Sequence, residues 1–228
     1  MLSVKYLRIF YRVFCRPIIY GRVSTIPISN DFGLSRGTPI DRYYIESFLK
    51  DNEADIRGRA LEIAEDTYTR RFGHGITSFE VLHVDTSNRK ATIIGDLTQP
   101  DTLPEKIADC FICTQTLNFI FDIREAIGGC FRLLKDGGVF LGTVSGISQI
   151  SRYDMNRWGD YWRFTDLSLK RLFAEYFRES NIAIRTFGNV FAANAFLQGI
   201  ALEDIEDRSL LNVRDPDYQV TLGIRAVR

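Results

Sequence analysis

Three acidic residues stand where a sheet could present them together. Glu62, Asp85 and Asp96 lie at the ends of short apolar runs, at residues 60–63, 81–85 and 92–96. A fourth run, 109–115, closes on Thr114 and Gln115, and a fifth covers 137–144. Continuous apolar runs of this length, bounded by turn residues, read as strands buried on both faces. In an open α/β sheet the ligand sits outside the carboxyl ends of the strands. Carboxylates gathered there suit a ligand with hydroxyls and amines to be held. The competing reading makes the same acids ordinary turn residues and helix caps.

The elements that must position these groups alternate. Asp41 looks like an N-cap for a helix over 42–50, with Tyr44, Ile45, Phe48 and Leu49 on its apolar face. A helix over 123–134 joins the fourth and fifth strands, with Ile127, Phe131 and Leu134 inward. It is expected to stop at Lys135-Asp136-Gly137-Gly138. Further helices are expected over 167–176 and 190–202, and strands over 182–186 and 218–227. Alternating strands and helices predict a parallel, doubly wound sheet. Residues 17 to 40 hold Pro17, Pro27, Gly33, Gly37 and Pro39 and read as an irregular connector. The expected organisation is a basic helix and connector over 1–40, then one α/β domain over 41–228.

The chain of 228 residues, 45% apolar and 25% charged, is long enough for a sizeable core and is ordinary in composition. Zero net charge gives no reason to expect a nucleic-acid partner. Cys110 and Cys113 form a C-x-x-C, but residues three apart in a strand point to opposite faces and cannot share a metal. No cluster of histidines and carboxylates has ligand spacing, so no metal is implied. Nothing suggests an oxidising compartment, and a cytoplasmic location is expected. Near the N-terminus Lys5, Arg8, Arg12 and Arg16 form a basic stripe beside Leu7, Phe10 and Phe14, and no acid precedes Asp31. The charges interrupt the apolar run, which argues against a membrane-spanning helix or a signal peptide. Two readings stand: a helix packed on the flank of the domain, or a peripheral contact with an anionic membrane or a partner protein.

The sheet outline is shared by two nucleotide-binding designs. The G-x-G-x-x-G that meets a pyrophosphate is absent after the first run, where Ala64-Glu65-Asp66-Thr67-Tyr68 follow Ile63. Acids there would repel a pyrophosphate. The order Leu61-Glu62-Ile63, Val84-Asp85, Gly95-Asp96-Leu97, Thr114-Gln115-Thr116-Leu117-Asn118 and Phe131-Arg132-Leu133-Leu134-Lys135-Asp136-Gly137-Gly138-Val139 instead resembles the class I S-adenosylmethionine-dependent methyltransferases. The resemblance covers about residues 58 to 145. The flanking segments 36–44 and 153–164 resemble a bacterial subgroup often found with glycosyltransferases in polysaccharide or glycoside pathways.

This resemblance implies a seven-stranded Rossmann-like sheet whose last strand is antiparallel, with S-adenosylmethionine as cofactor. It assigns Asp85 to the ribose diol, Asp96 to the adenine amine, Leu97 to an apolar wall and Glu62 to the amino group. Thr114 and Gln115 fall where the family lines the methionine moiety. The family's glycine-rich first turn is missing. Side chains at 64–68 are expected to crowd the backbone approach, with Tyr68 and segment 36–44 completing a different wall. Past the fifth strand, Trp158, Tyr161 and Trp162 could stack on a sugar or aromatic acceptor. Asp154 and Asp160 could take a hydroxyl proton, and Arg157 and Arg163 could hold a phosphate or carboxylate. An aromatic cover with its charges paired to each other is the alternative. The expected activity is methyl transfer to an oxygen of a sugar, glycoside or related small molecule. The second reading is a methyltransferase-fold protein without methyl transfer, either a binding or scaffolding partner of a glycan-assembly enzyme or an enzyme of another class that reuses the cleft; the basic N-terminus could contact a membrane or a glycosyltransferase.

Overall fold

The computed structural model describes residues 25–228. The basic stripe expected over Lys5 to Arg16 lies outside the described residues. In chain order the elements are α1 (Ile40–Asp51), β1 (Gly58–Ile63), α2 (Thr67–Phe72), β2 (Ile76–His83), β3 (Ile93–Ile94), β4 (Ala108–Thr114), α3 (Ile123–Leu133), β5 (Leu134–Ser145), α4 (Arg152–Met155), α5 (Asp166–Phe173), β6 (Ile182–Phe187), α6 (Val190–Leu197) and β7 (Thr221–Val227). The seven strands form one sheet in the order β3-β2-β1-β4-β5-β7-β6. β1 to β5 pair in parallel, and β7 runs antiparallel between β5 and β6. Strand order reverses between β1 and β4, so the crevice for a ligand opens at their carboxyl ends.

Helices cover both faces. α3 and α5 pack Ala126, Ile127, Cys130, Leu169 and Phe173 on one face with Phe111, Cys113 and Phe140. α1 and α6 pack Tyr44, Phe48, Leu49, Ala192 and Phe196 on the other with Cys110, Ile112 and Leu141. Cys110 and Cys113 therefore do lie in opposite core layers, and burial pushes the Cys110 thiol well up. Among the described residues there is no metal-holding group of His, Cys, Asp and Glu, and no helix is long and apolar enough to cross a membrane.

Several boundaries depart from the sequence expectations, each for a local reason. β3 is two residues long, extended by hydrogen bonds from Thr92 N to Val81 O and from Gly95 N to His83 O. Such a short edge strand offers little backbone for unwanted pairing. Lys135 to Gly138 belongs to β5, not to a helix end: Lys135 Nζ binds both Asp109 carboxylate oxygens, at 2.8 and 2.9 Å. α6 stops at Leu197 because Gly199 adopts a φ of +66° and a Cβ there would meet Ser29 O at 2.1 Å. Asp41 sits inside the first turn of α1, whose N-cap position is Pro39. That end is anchored: Thr38 donates to Glu203, Arg36 pairs with Asp204, and Pro39 bridges Ala201.

The turn after β1 is shaped by Glu62, which is 4% exposed. Its carboxylate accepts from Tyr68 N at 3.1 Å, Thr69 N at 2.8 Å and Thr69 Oγ1 at 2.9 Å. It thus satisfies amides at the start of α2 that would otherwise be orphaned. Burial raises this carboxyl above its ordinary value, and the bonds from Thr69 and Tyr68 offset part of the rise.

A Cβ at Gly129 of α3 would meet Leu97 O at 2.2 Å. Gly129→Ala is expected to lower the unfolding free energy by about 1–3 kcal/mol, read by chemical denaturation, since rigid backbone cannot yield cheaply. Glu62 binds its proton more tightly folded than unfolded. Its stabilising contribution is then full below its ordinary value of 4.5 and is lost as pH rises through the raised folded value. The stability of the wild type relative to Glu62→Gln should therefore fall as pH rises above 4.5 and level once the raised folded value is passed. Urea unfolding of both proteins across that range checks it, and a pH-independent difference would contradict it.

Candidate functional site

A cavity of about 470 Å³ opens at the carboxyl ends of β1, β2, β3 and β4. Ile63, Leu82 and Leu97 give it apolar walls, and Asp96, Asp122 and Asp154 bring carboxylates; among the described residues no lysine or arginine lines it. It is the size of a small-molecule site and its charge favours a cation. A second cavity of about 310 Å³ adjoins it, lined by residues that include Phe32, Asp41, Asn118, Ser145, Gln149 and Arg163. Gln115, Phe119 and Asp154 line both. Those three side chains form a common wall.

Backbone strain converges on these cavities. Ala64, Gln115 and Phe32 are three of the four non-glycine residues with positive φ among the described residues, at +63°, +47° and +64°. Ala64 and Gln115 follow the ends of β1 and β4 and line the first cavity; Phe32 lines the second. Each such conformation costs of order 1 kcal/mol or more and persists where its surroundings enforce it. Gln115 N donates to Thr143 O at 2.7 Å and its Oε1 accepts from Ser145 Oγ at 2.8 Å. Its Nε2 is buried without a protein partner. A buried amide N–H at the common wall is a donor awaiting an acceptor atom.

The glycine-poor turn does not obstruct the cavity. Of residues 64–68, only Ala64 lines it. Tyr68 stacks on Phe72 with centroids 6.3 Å apart, Asp66 pairs with Arg70, and Thr67 donates to Glu65. Segment 36–44 contributes Asp41 to the second cavity rather than a wall to the first.

The sequence-selected residues divide accordingly. Asp96, Leu97, Gln115, Asp154, Trp158 and Tyr161 meet in the first cavity. The Asp96 carboxylate accepts from Thr98 N and Oγ1, both at 2.8 Å, and more weakly from Gln99 Nε2 at 3.3 Å, keeping lone pairs free. Glu62 is occupied at α2. Thr114 ends β4 beside the cavity without lining it. Asp85 lies two residues past β2, exposed, near the His83 ring at 3.2 Å; hydrogen bonds from Ser87 hold its carboxyl below the ordinary range.

On the other side, Asp160 and Arg163 face the second cavity but are bound to each other by two hydrogen bonds of 2.6 and 3.0 Å. Burial opposes ionisation of Asp160, yet the bonds from Arg163 and from Ser151 N outweigh it and its carboxyl stays low. Arg157 lies over the Tyr153 ring, 3.4 Å from its centroid, away from both cavities. Trp162 packs on the core and donates from Nε1 to Ile120 O at 3.0 Å. The cover over the first cavity is therefore Trp158, edge-on to His83 at 6.1 Å, with Phe121 edge-on to Tyr161 at 5.3 Å.

Sequence reasoning missed His83, Phe121, Asp122, Asp41 and Asn118. His83 is the last residue of β2, a position that signals a site in such sheets. Asp41 is signalled only as a helix cap within segment 36–44, since its cavity is assembled from distant segments. Asn118, 1% exposed, donates from Nδ2 to Trp162 O, and its own carbonyl accepts from Tyr161 N and Trp162 N.

Residues 55–142 match the family profile described as a methyltransferase domain. The fold is similar to an S-adenosylmethionine-dependent methyltransferase from Archaeoglobus fulgidus, at 12% identity and TM-score 0.51, covering 82% of this chain and 94% of that one. It is also similar to one from Mesorhizobium loti, at 15% identity and TM-score 0.51, covering 86% and 100%. A putative methyltransferase from Haloferax volcanii, solved with the Trm112 methyltransferase activator, is similar at 15% identity and TM-score 0.50, covering 82% and 90%. None of the curated proteins compared with this chain matches it. Residues 55–142 thus resemble a methyltransferase domain, and the fold around them is similar to that of S-adenosylmethionine-dependent methyltransferases.

Proposed function

We propose that this protein transfers a methyl group from S-adenosylmethionine to a hydroxyl of a sugar, glycoside or related small molecule. The observation that carries the reading is the pair of cavities sharing Gln115, Phe119 and Asp154. Methyl transfer needs a donor and an acceptor approaching one carbon from opposite sides. Two adjoining cavities with a common wall suit that geometry, and positioning alone can supply about 7 kcal/mol.

The residues present fit the cofactor. Asp96 has a free lone pair for the adenine amine, with Leu97 and Ile63 against the base. Asp122 and Asp154 suit the cationic sulfonium and ammonium groups. The Gln115 Nε2 donor suits the methionine carboxylate or the acceptor oxygen. Asp85, at the rim past β2, would reach the ribose diol from outside. Bound there, the cofactor supplies an electrophilic methyl group on sulfur. The second cavity is rich in hydroxyl and amide groups and is flanked by Phe32 and Phe119, a lining suited to a sugar ring. The scaffolding alternative drew its support from a crowded first turn, and the side chains of that turn point elsewhere. A glycan or natural-product pathway in a bacterial cytoplasm, with the basic N-terminus touching a membrane or a glycosyltransferase, is the setting that goes with this reading.

Calorimetric titration with S-adenosylhomocysteine should give micromolar affinity, equivalent to about 8 kcal/mol. Asp96→Ala should weaken it roughly tenfold or more, the value of a lost bond to a charged acceptor, and Asp85→Ala should weaken it too. Absence of binding by the wild type would overturn the reading.

A further inference from the structure

We propose that Asp41 is the catalytic residue that accepts the proton of the acceptor hydroxyl, and that the acceptor is a hydroxyl-rich ring seated in the second cavity. This deepens the methyl-transfer reading and rests on it.

The second cavity holds three carboxylates that could serve: Asp41, Asp154 and Asp160. Asp160 is committed to Arg163 and to Ser151 N, and those bonds keep it low, so it is a weak base. Asp154 accepts from Ser151 Oγ at 2.6 Å and stands in the common wall, where its charge also faces the donor cavity. Asp41 makes no ion pair among the described residues; its carboxylate accepts from backbone amides, that of its neighbour Arg42 at 2.8 Å and its own. Burial pushes its carboxyl up to about 6, partly offset by Arg42. A base of that strength is half-ionised close to working pH, where proton transfer is most effective. The other groups that face it are the Tyr68 phenol on α2, whose own acidity it reduces, and Asp154 and the Asp160–Arg163 pair across the cavity.

Position is as important as strength. The α1 terminus is held by the Thr38–Glu203 and Arg36–Asp204 contacts, so Asp41 is presented on a fixed element. The cavity around it offers the Ser145, Ser148, Gln149 and Asn118 side chains for further hydroxyls, and the Phe32 and Phe119 rings for the apolar face of a pyranose. In the proposed step the acceptor oxygen bonds the methyl carbon while the carbon–sulfur bond breaks and its electron pair goes to sulfur. The hydroxyl proton passes to Asp41 and then to water. The products are the methyl ether and S-adenosylhomocysteine.

The test uses the full chain with ¹³C-labelled aspartate, S-adenosylhomocysteine, and three probes: methyl α-glucoside, methyl α-galactoside and methyl α-rhamnoside. Asp41 should titrate near 6, and at least one glycoside should shift that midpoint and give a saturation-transfer signal. Asp41→Asn should keep S-adenosylhomocysteine affinity within about twofold. With S-adenosylmethionine and the bound glycoside, its rate should fall about a hundred- to ten-thousandfold and lose the rise with pH seen in the wild type. An unchanged rate and pH profile in Asp41→Asn overturns the proposal. So does an Asp41 titration that no glycoside moves while S-adenosylhomocysteine still binds, a result read on the wild type and independent of how the variant folds. Failure of S-adenosylhomocysteine itself to bind removes the methyl-transfer reading instead, and this one with it.

Discussion

The buried carboxylate of Glu62 governs the first turn of the sheet, and the cavity depends on that turn. By accepting from the amides of Tyr68 and Thr69, it draws the start of α2 back toward β1. The chain can make so tight a return only if Ala64 takes a left-handed backbone, which it does at φ +63°. A glycine would do this without strain. An alanine does it at some cost, but a methyl group is small enough to leave the cavity open. The bulkier side chains of the turn are carried out with the helix, to Phe72, Arg70 and one another. Backbone hydrogen bonding, not side-chain volume, thus decides what faces the ligand.

That point explains why the sequence misleads at this turn. The strands were legible because apolar runs with turn residues at their ends have few other solutions, and the reversal of strand order follows from alternating helices and strands. The antiparallel β7 was implied by resemblance, not by periodicity. Helix faces such as Tyr44, Ile45, Phe48 and Leu49 followed from spacing alone and all are buried. Crowding at 64–68 was inferred from side-chain size, which says nothing about direction. Direction there is set by a contact between Glu62 and amides six and seven residues on, and no local pattern encodes it.

The second cavity was illegible for a different reason. Phe32, Asp41, Gln115, Ser145 and Asp160 come from five separate stretches of the chain, and only the tertiary fold brings them to one place. Residue type alone favoured Asp160 and Arg163 as free functional groups. Their neighbourhood makes them partners: Asp160 lies three residues before Arg163, and each satisfies the other at 2.6 Å. Such a pair fixes the loop over the cavity and leaves less charge for chemistry. The carboxylate of that cavity held by neither an ion pair nor a side-chain hydrogen bond among the described residues is Asp41, which the sequence pattern reads as a helix cap.

Asn118 shows how the two cavities are kept in register. It is buried directly after the strained Gln115 turn, and it holds Tyr161 and Trp162 through three hydrogen bonds of 3.0 to 3.2 Å. Its Oδ1 also faces Ser145 N at the end of β5. One residue, through its backbone carbonyl and its side-chain amide, therefore ties the cover that carries Tyr161 to the end of the sheet that carries Gln115. Displacing that cover would leave buried amides and carbonyls unpaired, at a cost of about 1–3 kcal/mol for each group. Those bonds fix the position of the cover relative to the wall that Gln115, Phe119 and Asp154 form between the cavities.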